Sequence, residues 1–283
     1  MSTVCMNPFR LNEENGGHQV PCGKCYNCKR RRASSWSVRL MNEYNHSESG
    51  HFVTLTYDSK YIPISKKGFR TLNKKHLQEF FKRLRQWHGK NHISIKYYAV
   101  GEYGGKTYRP HYHIILFNAK IELIEKSWSD CVNKKEKLFR PLGQIHYGTL
   151  TDASVGYTLK YISKAKRIPL HANDDRVPEF ALMSKGLGKN YLTSKMVVWH
   201  KAKPEERIFV PLQDGKKAPM PRYYKERIFD EFEKEKIVFH WKNKSDSSKA
   251  TEIAKYGDNY QSIKEQEFFN GERKLKTIST DKL

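Results

Sequence analysis

Apolar residues in this chain alternate in short runs that are separated by stretches of helical spacing. His51-Phe52-Val53-Thr54-Leu55-Thr56-Tyr57 is dense in β-branched and aromatic side chains and predicts a strand. Leu77, Phe80, Phe81, Leu84 and Trp87 recur at helical spacing, so residues 73–88 predict an amphipathic helix with Asn73 as its N-cap. A second strand is expected over Ile93–Val100, a Gly-rich hairpin connection over Gly101–Arg109 and a third strand over His111–Phe117. Then follow a helix over Ile121–Val132, a fourth strand over Gln144–Leu150 and a helix over Asp152–Lys166, where Gly156 is a mild breaker. Ahead of them all, Ala33–Tyr44 predicts a helix whose partly apolar face carries Trp36, Val38, Leu40, Met41 and Tyr44.

From residue 51 onward the order is strand, helix, strand, strand, helix, strand, helix. That order predicts an α+β fold, a ferredoxin-like or RRM-like antiparallel sheet with helices on one face and the other face left open. The pattern weakens after Lys166. Arg167–Pro178 reads as loop, and Lys185–Asn190 as a short basic loop with two glycines that does not match a P-loop. Pro221–His240 has apolar residues at helical positions, and Trp241–Leu283 is a polar, partly flexible tail. The expected domains are a Cys-rich basic segment over 1–50, a core domain over 51–166, an extension over 167–240 that binds DNA or a partner, and the tail over 241–283.

Charge narrows the class of partner. The 283 residues carry 53 Lys and Arg against 30 Asp and Glu, a formal net charge of +23. Such an excess suits a polyanion. The 13% of aromatic residues suits single-stranded nucleic acid, whose bases stack on rings while cations track its phosphates. No apolar run reaches the length of a membrane span and no signal-peptide pattern opens the chain, so no membrane partner and an intracellular location are expected. In a reducing compartment, clustered cysteines are metal ligands more often than disulfides.

Three groups of residues carry candidate chemistry. Cys22, Cys25 and Cys28 form two overlapping C-x-x-C spacings, and Cys5 (or His18 in its place) could complete a tetrahedral site for structural Zn2+. Reduced thiols without a metal and an iron–sulfur cluster remain open alternatives. Directly after them, Arg30, Arg31 and Arg32 could grip a phosphate backbone at the start of a helix. The second group is His111 and His113, which share one face of the third strand. If that strand pairs with the one before it, Glu102 lies beside them. A carboxylate and two imidazoles would make a three-ligand site for Mg2+ or Mn2+. The third is Tyr157 and Tyr161, four apart on one helix face and flanked by Lys160 and Lys164. A phenol becomes a useful nucleophile only when its anion is stabilised, which a neighbouring ammonium could do.

Taken in order, these motifs resemble the HUH endonuclease superfamily of relaxases and rolling-circle replication initiators. More narrowly, Pro21–Cys25, Phe52–Tyr57, Gly101–Gly104, Arg109–His113 and Gly156–Lys164 together resemble the replication initiators of gokushoviruses, a branch of the microviruses. A weaker echo extends through Lys185–Tyr191 and Met220–Phe229. The resemblance implies a nicking domain in which His111 and His113 bind a divalent metal, with Glu102 as third ligand. It implies that Tyr157 or Tyr161 attacks a DNA phosphodiester and forms a 5′-phosphotyrosyl link, that Lys160 or Lys164 offsets charge, and that Arg109 lies at the DNA. The implied partners are single-stranded or origin DNA of a phage replicative form and the host helicase and polymerase, in the bacterial cytoplasm. The runner-up reading is a non-catalytic, zinc-containing protein that binds single-stranded nucleic acid. A third is a hydrolase using a metal-bound water, which would leave a free 5′-phosphate and no protein–DNA link.

Overall fold

A computed structural model of the chain describes residues 5–12, 19–133, 138–151, 154–156, 158–159, 168–212 and 215–280, with side chains up to 273. In chain order the strands are β1 (Phe9–Arg10), β2 (Gln19–Val20), β3 (Gly50–Thr56), β4 (Lys96–Tyr103), β5 (Pro110–Phe117), β6 (Ser129–Asn133), β7 (Leu138–Pro141), β8 (Ile145–Thr149), β9 (Phe180–Met183), β10 (Phe209–Pro211) and β11 (Lys217–Pro219). The helices are α1 (Tyr26–Tyr44), α2 (Lys74–His88), α3 (Ile121–Ser127), α4 (Ser194–Lys201), α5 (Arg222–Ile228), α6 (Glu231–Tyr256) and α7 (Tyr260–Thr280). Residues 154–156 and 158–159 are also helical. The chain divides into two compact units, one of residues 1–39, 162–164 and 188–281, the other of residues 40–161, 165–187 and 282–283. Among the described residues, no helix is long and apolar enough to cross a membrane.

The second unit is built on an antiparallel five-stranded sheet in the order β8-β3-β5-β4-β9. Without the edge strand β9, this is the strand order of the ferredoxin-like fold, with α2 and α3 on one face. Leu77, Phe80, Phe81 and Leu84 of α2 and Ile124 of α3 share a core with Val53, Leu55, Ala99, Tyr112, Ile114 and Leu116 of the sheet. Alternation along β5 therefore sends Tyr112, Ile114 and Leu116 to the helices, and His111, His113, Ile115 and Phe117 to the opposite face. Asn73 caps α2 as expected, its side chain accepting from the backbone N–H groups of Lys75 and His76.

Several elements depart from the sequence pattern. The opposite sheet face is not left bare, because Tyr98, Ile115 and Phe117 on it are fully buried. Gly50 lies beside Phe117 on that face, and a Cβ there would stand 2.6 Å from the Tyr44 ring and 2.7 Å from Leu150. Strand β4 begins and ends later than expected and carries Glu102 within it, leaving Gly104–Arg109 as the connection to β5. Gly101 does not break the strand, since it sits opposite Tyr112 where a side chain would crowd Leu72, Phe180 and the Tyr112 ring. Helix α3 stops at Ser127 instead of reaching Val132. Trp128 there turns into the core, and residues 129–133 pair with 138–141 as a hairpin. Helix α1 starts at Tyr26, seven residues before the expected Ala33, immediately after Cys25.

In the first unit the expected helix over Pro221–His240 is interrupted. Ile228 and Phe229 are buried, and Asp230 restarts the chain as α6 with a capping box to Glu233. The polar segment from Trp241 continues as helix through α6 and α7. Val38, Tyr191, Val210, Met220, Tyr224, Ile228 and Ile237 form this unit's core. His200 lies buried there with both ring nitrogens bonded, to the Tyr191 hydroxyl at 2.7 Å and the Arg207 carbonyl at 2.6 Å, and so is structural.

Gly143 is the tightest backbone approach in the second unit. A Cβ there would fall inside contact distance of the Thr56 carbonyl and 2.6 Å from the Asp58 nitrogen, just where Leu142 and Gln144 accept hydrogen bonds from Asp58 and Thr56. Backbone cannot rotate aside as a side chain can. Gly143→Ala is expected to lower stability by about 1–3 kcal/mol. Urea unfolding curves measure this, and an unchanged midpoint would contradict the close approach.

Candidate metal centre

Strand register brings the three candidate ligands together. His111 and His113 lie two apart on β5, Glu102 pairs directly with His111, and Thr54 of β3 pairs with His113. All four side chains share the face opposite α2. One carboxylate oxygen, Glu102 Oε1, lies 2.8 Å from His111 Nε2 and 3.1 Å from His113 Nε2. Glu102 and His113 are buried, and His111 is partly exposed.

The far side of each ring is also held. His111 Nδ1 lies 3.1 Å from the Arg109 carbonyl, and His113 Nδ1 lies 2.9 Å from Thr54 Oγ1. A carbonyl only accepts, so the His111 proton belongs on Nδ1 and its Nε2 lone pair points inward to where a cation would sit. Phe52 stacks on the His113 ring at 5.6 Å and limits its rotation. Burial alone would raise the Glu102 pKa. Hydrogen bonds from both imidazoles and their charge outweigh burial and hold it at about 2, so the carboxylate is ionised at neutral pH.

These three ligand atoms lie within 4.8 Å of one another. An anionic oxygen with two borderline nitrogens, held on paired strands, could hold one metal ion with coordination positions left for substrate. The sequence did not single out Thr54 or Phe52. Both lie in a strand visible in the sequence, but only the β3–β5 register shows that they touch His113.

Other expected site residues are placed as follows. Arg109 donates from its guanidinium to the Tyr57 carbonyl and, at 3.3 Å, to Ser59 Oγ, which fixes it beside the end of β3. Arg30, Arg31 and Arg32 are exposed on the first turns of α1. Cys5, Cys22, Cys25 and Cys28 converge, with their sulfurs within 4.8 Å of one another, and could hold a second ion. Backbone N–H groups of Cys25 and Lys24 pull the Cys22 thiol down to about 6, whereas burial pushes Cys28 up to about 12. Tyr157, Lys160, Tyr161 and Lys164 lie outside the described residues, as does His18. Next to them in the chain, Val155, Thr158 and Leu159 are buried and helical.

Comparison with known proteins agrees with this arrangement. Residues 50–166, which include the sheet strands β3, β4, β5 and β8 and the Glu–His–His group, match a family of replication-associated proteins of the ORF2 type. The replication-associated protein ORF2 of Spiroplasma virus 4 is 31% identical over 234 residues, covering 80% of this chain and 72% of that protein. The replication-associated protein VP4 of Bdellovibrio phage phiMH2K is 25% identical over 77% of this chain and 70% of its own length. The replication-associated protein ORF4 of Chlamydia phage 1 is 28% identical over 75% of this chain and 56% of its own length. No solved structure matches the chain. Shared sequence over most of both chains, centred on the domain that carries the two histidines, places this protein in the ORF2 family of phage replication-associated proteins.

Proposed function

We propose that the protein is a replication initiator endonuclease of the HUH type, which nicks single-stranded or extruded origin DNA and later rejoins the ends. The observation that carries this reading is the convergence of Glu102 Oε1 on both imidazole Nε2 atoms. The donor set suits Mg2+ or Mn2+, which when bound would act as a Lewis acid on the non-bridging oxygens of the scissile phosphate. Glu102, His111 and His113 hold that position. The Arg109 carbonyl and Thr54 keep the two rings turned toward it.

The bond exchange is ester for ester. The hydroxyl oxygen of Tyr157 or Tyr161 bonds to phosphorus as the bond to the 3′ oxygen breaks. The phenol proton passes to solvent and the leaving 3′ oxygen takes one up. Lys160 or Lys164 stabilises the phenolate or the phosphate. The link energy stays in the 5′-phosphotyrosine, so no ATP is consumed. The released 3′ end primes a host polymerase behind a host helicase in the bacterial cytoplasm. After one round the second tyrosine cleaves the regenerated origin. The new 3′-hydroxyl then attacks the first phosphotyrosine and closes a circle. The excess of positive charge in the chain draws the DNA in.

The test uses purified protein, manganese and single-stranded oligonucleotides tiling the genome that carries this gene. Wild type is expected to form a covalent adduct on one oligonucleotide, and mass spectrometry is expected to find the DNA on Tyr157 or Tyr161. Tyr157→Phe combined with Tyr161→Phe is expected to form none. Salt-sensitive binding without any adduct would favour the non-catalytic reading. A free 5′-phosphate without an adduct would favour hydrolysis, and an adduct that survives the double substitution would exclude both tyrosines.

A further inference from the structure

The cysteine cluster lies in the first unit and plays no part in the nicking chemistry. We propose that Cys5, Cys22, Cys25 and Cys28 bind one zinc ion as four thiolates, and that this ion fastens the N-terminal segment to the start of α1. The inference is independent of the catalytic reading.

The spacing of the sulfurs argues for a single metal. Four sulfurs at a Zn–S distance of about 2.3 Å on a tetrahedron stand about 3.8 Å apart. Cys5 Sγ and Cys25 Sγ are 4.0 Å apart, and all four sulfurs lie within 4.8 Å. A disulfide needs a separation of about 2.05 Å, and all five cysteines of the chain are free. A multi-iron cluster gives each thiolate its own iron, which spreads the sulfurs wider than a tetrahedron around one ion.

Backbone geometry agrees. The N–H groups of Lys24 and Cys25 donate to Cys22 Sγ at 3.4 and 3.3 Å, that of Cys22 to Cys5 Sγ at 3.2 Å and that of Met6 to Cys25 Sγ at 3.5 Å. The chain can fold around Cys22 in this way because Gly23 takes a φ of +69°, open to glycine at little cost. Cys25 and Cys28 then sit at the entrance and in the first turn of α1, where unpaired backbone N–H groups favour negative sulfur. Four thiolates on a dication leave an excess of negative charge, which Lys24 and the basic residues following Cys28 offset.

Four protein ligands close the coordination sphere, so this ion would be structural and not catalytic. What it would hold is visible in the packing. Met6, next to Cys5, lies against α7 at Gly271, where a Cβ would stand 3.1 Å from Met6 Cε and 3.6 Å from Tyr26 Cβ. The ion would thus tie the segment under α7 to α1.

The test uses the full chain, purified without chelator. Elemental analysis is expected to find one tightly held zinc per chain, retained when His111→Ala and His113→Ala are combined and lost when Cys25→Ser and Cys28→Ser are combined. Zinc that disappears with the histidines would overturn the proposal, and so would tightly held iron in its place. Wild type alone gives a second readout that needs no variant to fold. A thiol reagent is expected to titrate one cysteine rapidly, Cys131, and all five after chelation. Five rapidly reacting thiols in zinc-replete protein would overturn the proposal. Cobalt in place of zinc is expected to give the intense visible bands and thiolate charge-transfer absorption of a tetrathiolate site, and an octahedral spectrum would also overturn it.

Discussion

His113→Ala lowers the rate of manganese-dependent DNA cleavage by about 10²–10⁴-fold. The size follows from what a Lewis acid contributes at a phosphoryl oxygen, several kcal/mol, with each 1.36 kcal/mol worth a factor of ten. Removing this ring removes one of three ligand atoms and leaves Glu102 with a single partner at 2.8 Å. Thr54→Val is the graded control. It keeps the shape of the strand but removes the oxygen 2.9 Å from His113 Nδ1, so the ring loses its orienting partner and keeps its ligating atom. Such a change costs about 10–100-fold in metal affinity. The Thr54 variant should therefore recover near wild-type cleavage at high manganese, while the His113 variant should not. Single-turnover cleavage measured across a manganese series separates the two, with circular dichroism showing that each variant folds. Cleavage by His113→Ala at the wild-type rate and the same manganese concentration would sink the assignment of these residues as a metal clamp.

The parts of this site that depend on strand periodicity were legible in the sequence. His-x-His on an apolar strand puts both rings on one face whatever the strand pairs with. The hairpin that brings Glu102 beside them follows from two apolar runs joined by a short Gly-rich connection. The exact register does not follow. Glu102 was read into the connection because Gly101 looked like a break, yet β4 runs through it to Tyr103. Crowding by Tyr112, Leu72 and Phe180, two of them distant in sequence, is what makes glycine fit there. Long-range pairing also explains the edge strand β9. Phe180–Met183 has four residues and no turn signal of its own, and it becomes a strand by pairing with residues 98–101. The Cys22–Cys28 spacing was readable, but the early start of α1 was not, since Lys29–Arg32 has no apolar periodicity. A helix that begins at Cys25 gains its first turn from tertiary placement of the thiols and not from propensity. The restart at Asp230 was readable in principle, because Asp230 and Glu233 stand at the spacing of a capping box.

Trp128→Ala is expected to have the largest effect on stability, about 3–5 kcal/mol. Trp128 is fully buried where α3 gives way to β6, with its ring centroid 5.2 Å from Tyr57, 5.8 Å from Tyr112 and 6.1 Å from Phe80. Its indole Nε1–H donates to the Thr56 carbonyl at 2.8 Å. Truncation would open a cavity among three aromatic rings and leave a buried acceptor short of a partner, and both costs fall on the same site. Trp128→Phe should cost less, since the ring volume mostly remains and only the hydrogen bond is lost. The location joins stability to function. Tyr112 stands between His111 and His113 on β5, and its hydroxyl donates to the Asn73 carbonyl at 2.9 Å while accepting from the Asn73 N–H at 2.9 Å. Those bonds lock the metal-binding strand to the start of α2, and Trp128 packs against the edge of that same tyrosine. Loosening it should therefore weaken manganese binding as well as lower the urea midpoint. Equilibrium unfolding with and without manganese measures both. A loss below about 1 kcal/mol would mean that the core behind the histidines is not packed around this residue. A full loss of stability with unchanged manganese affinity would mean that the strand holds its ligands in place without support from behind.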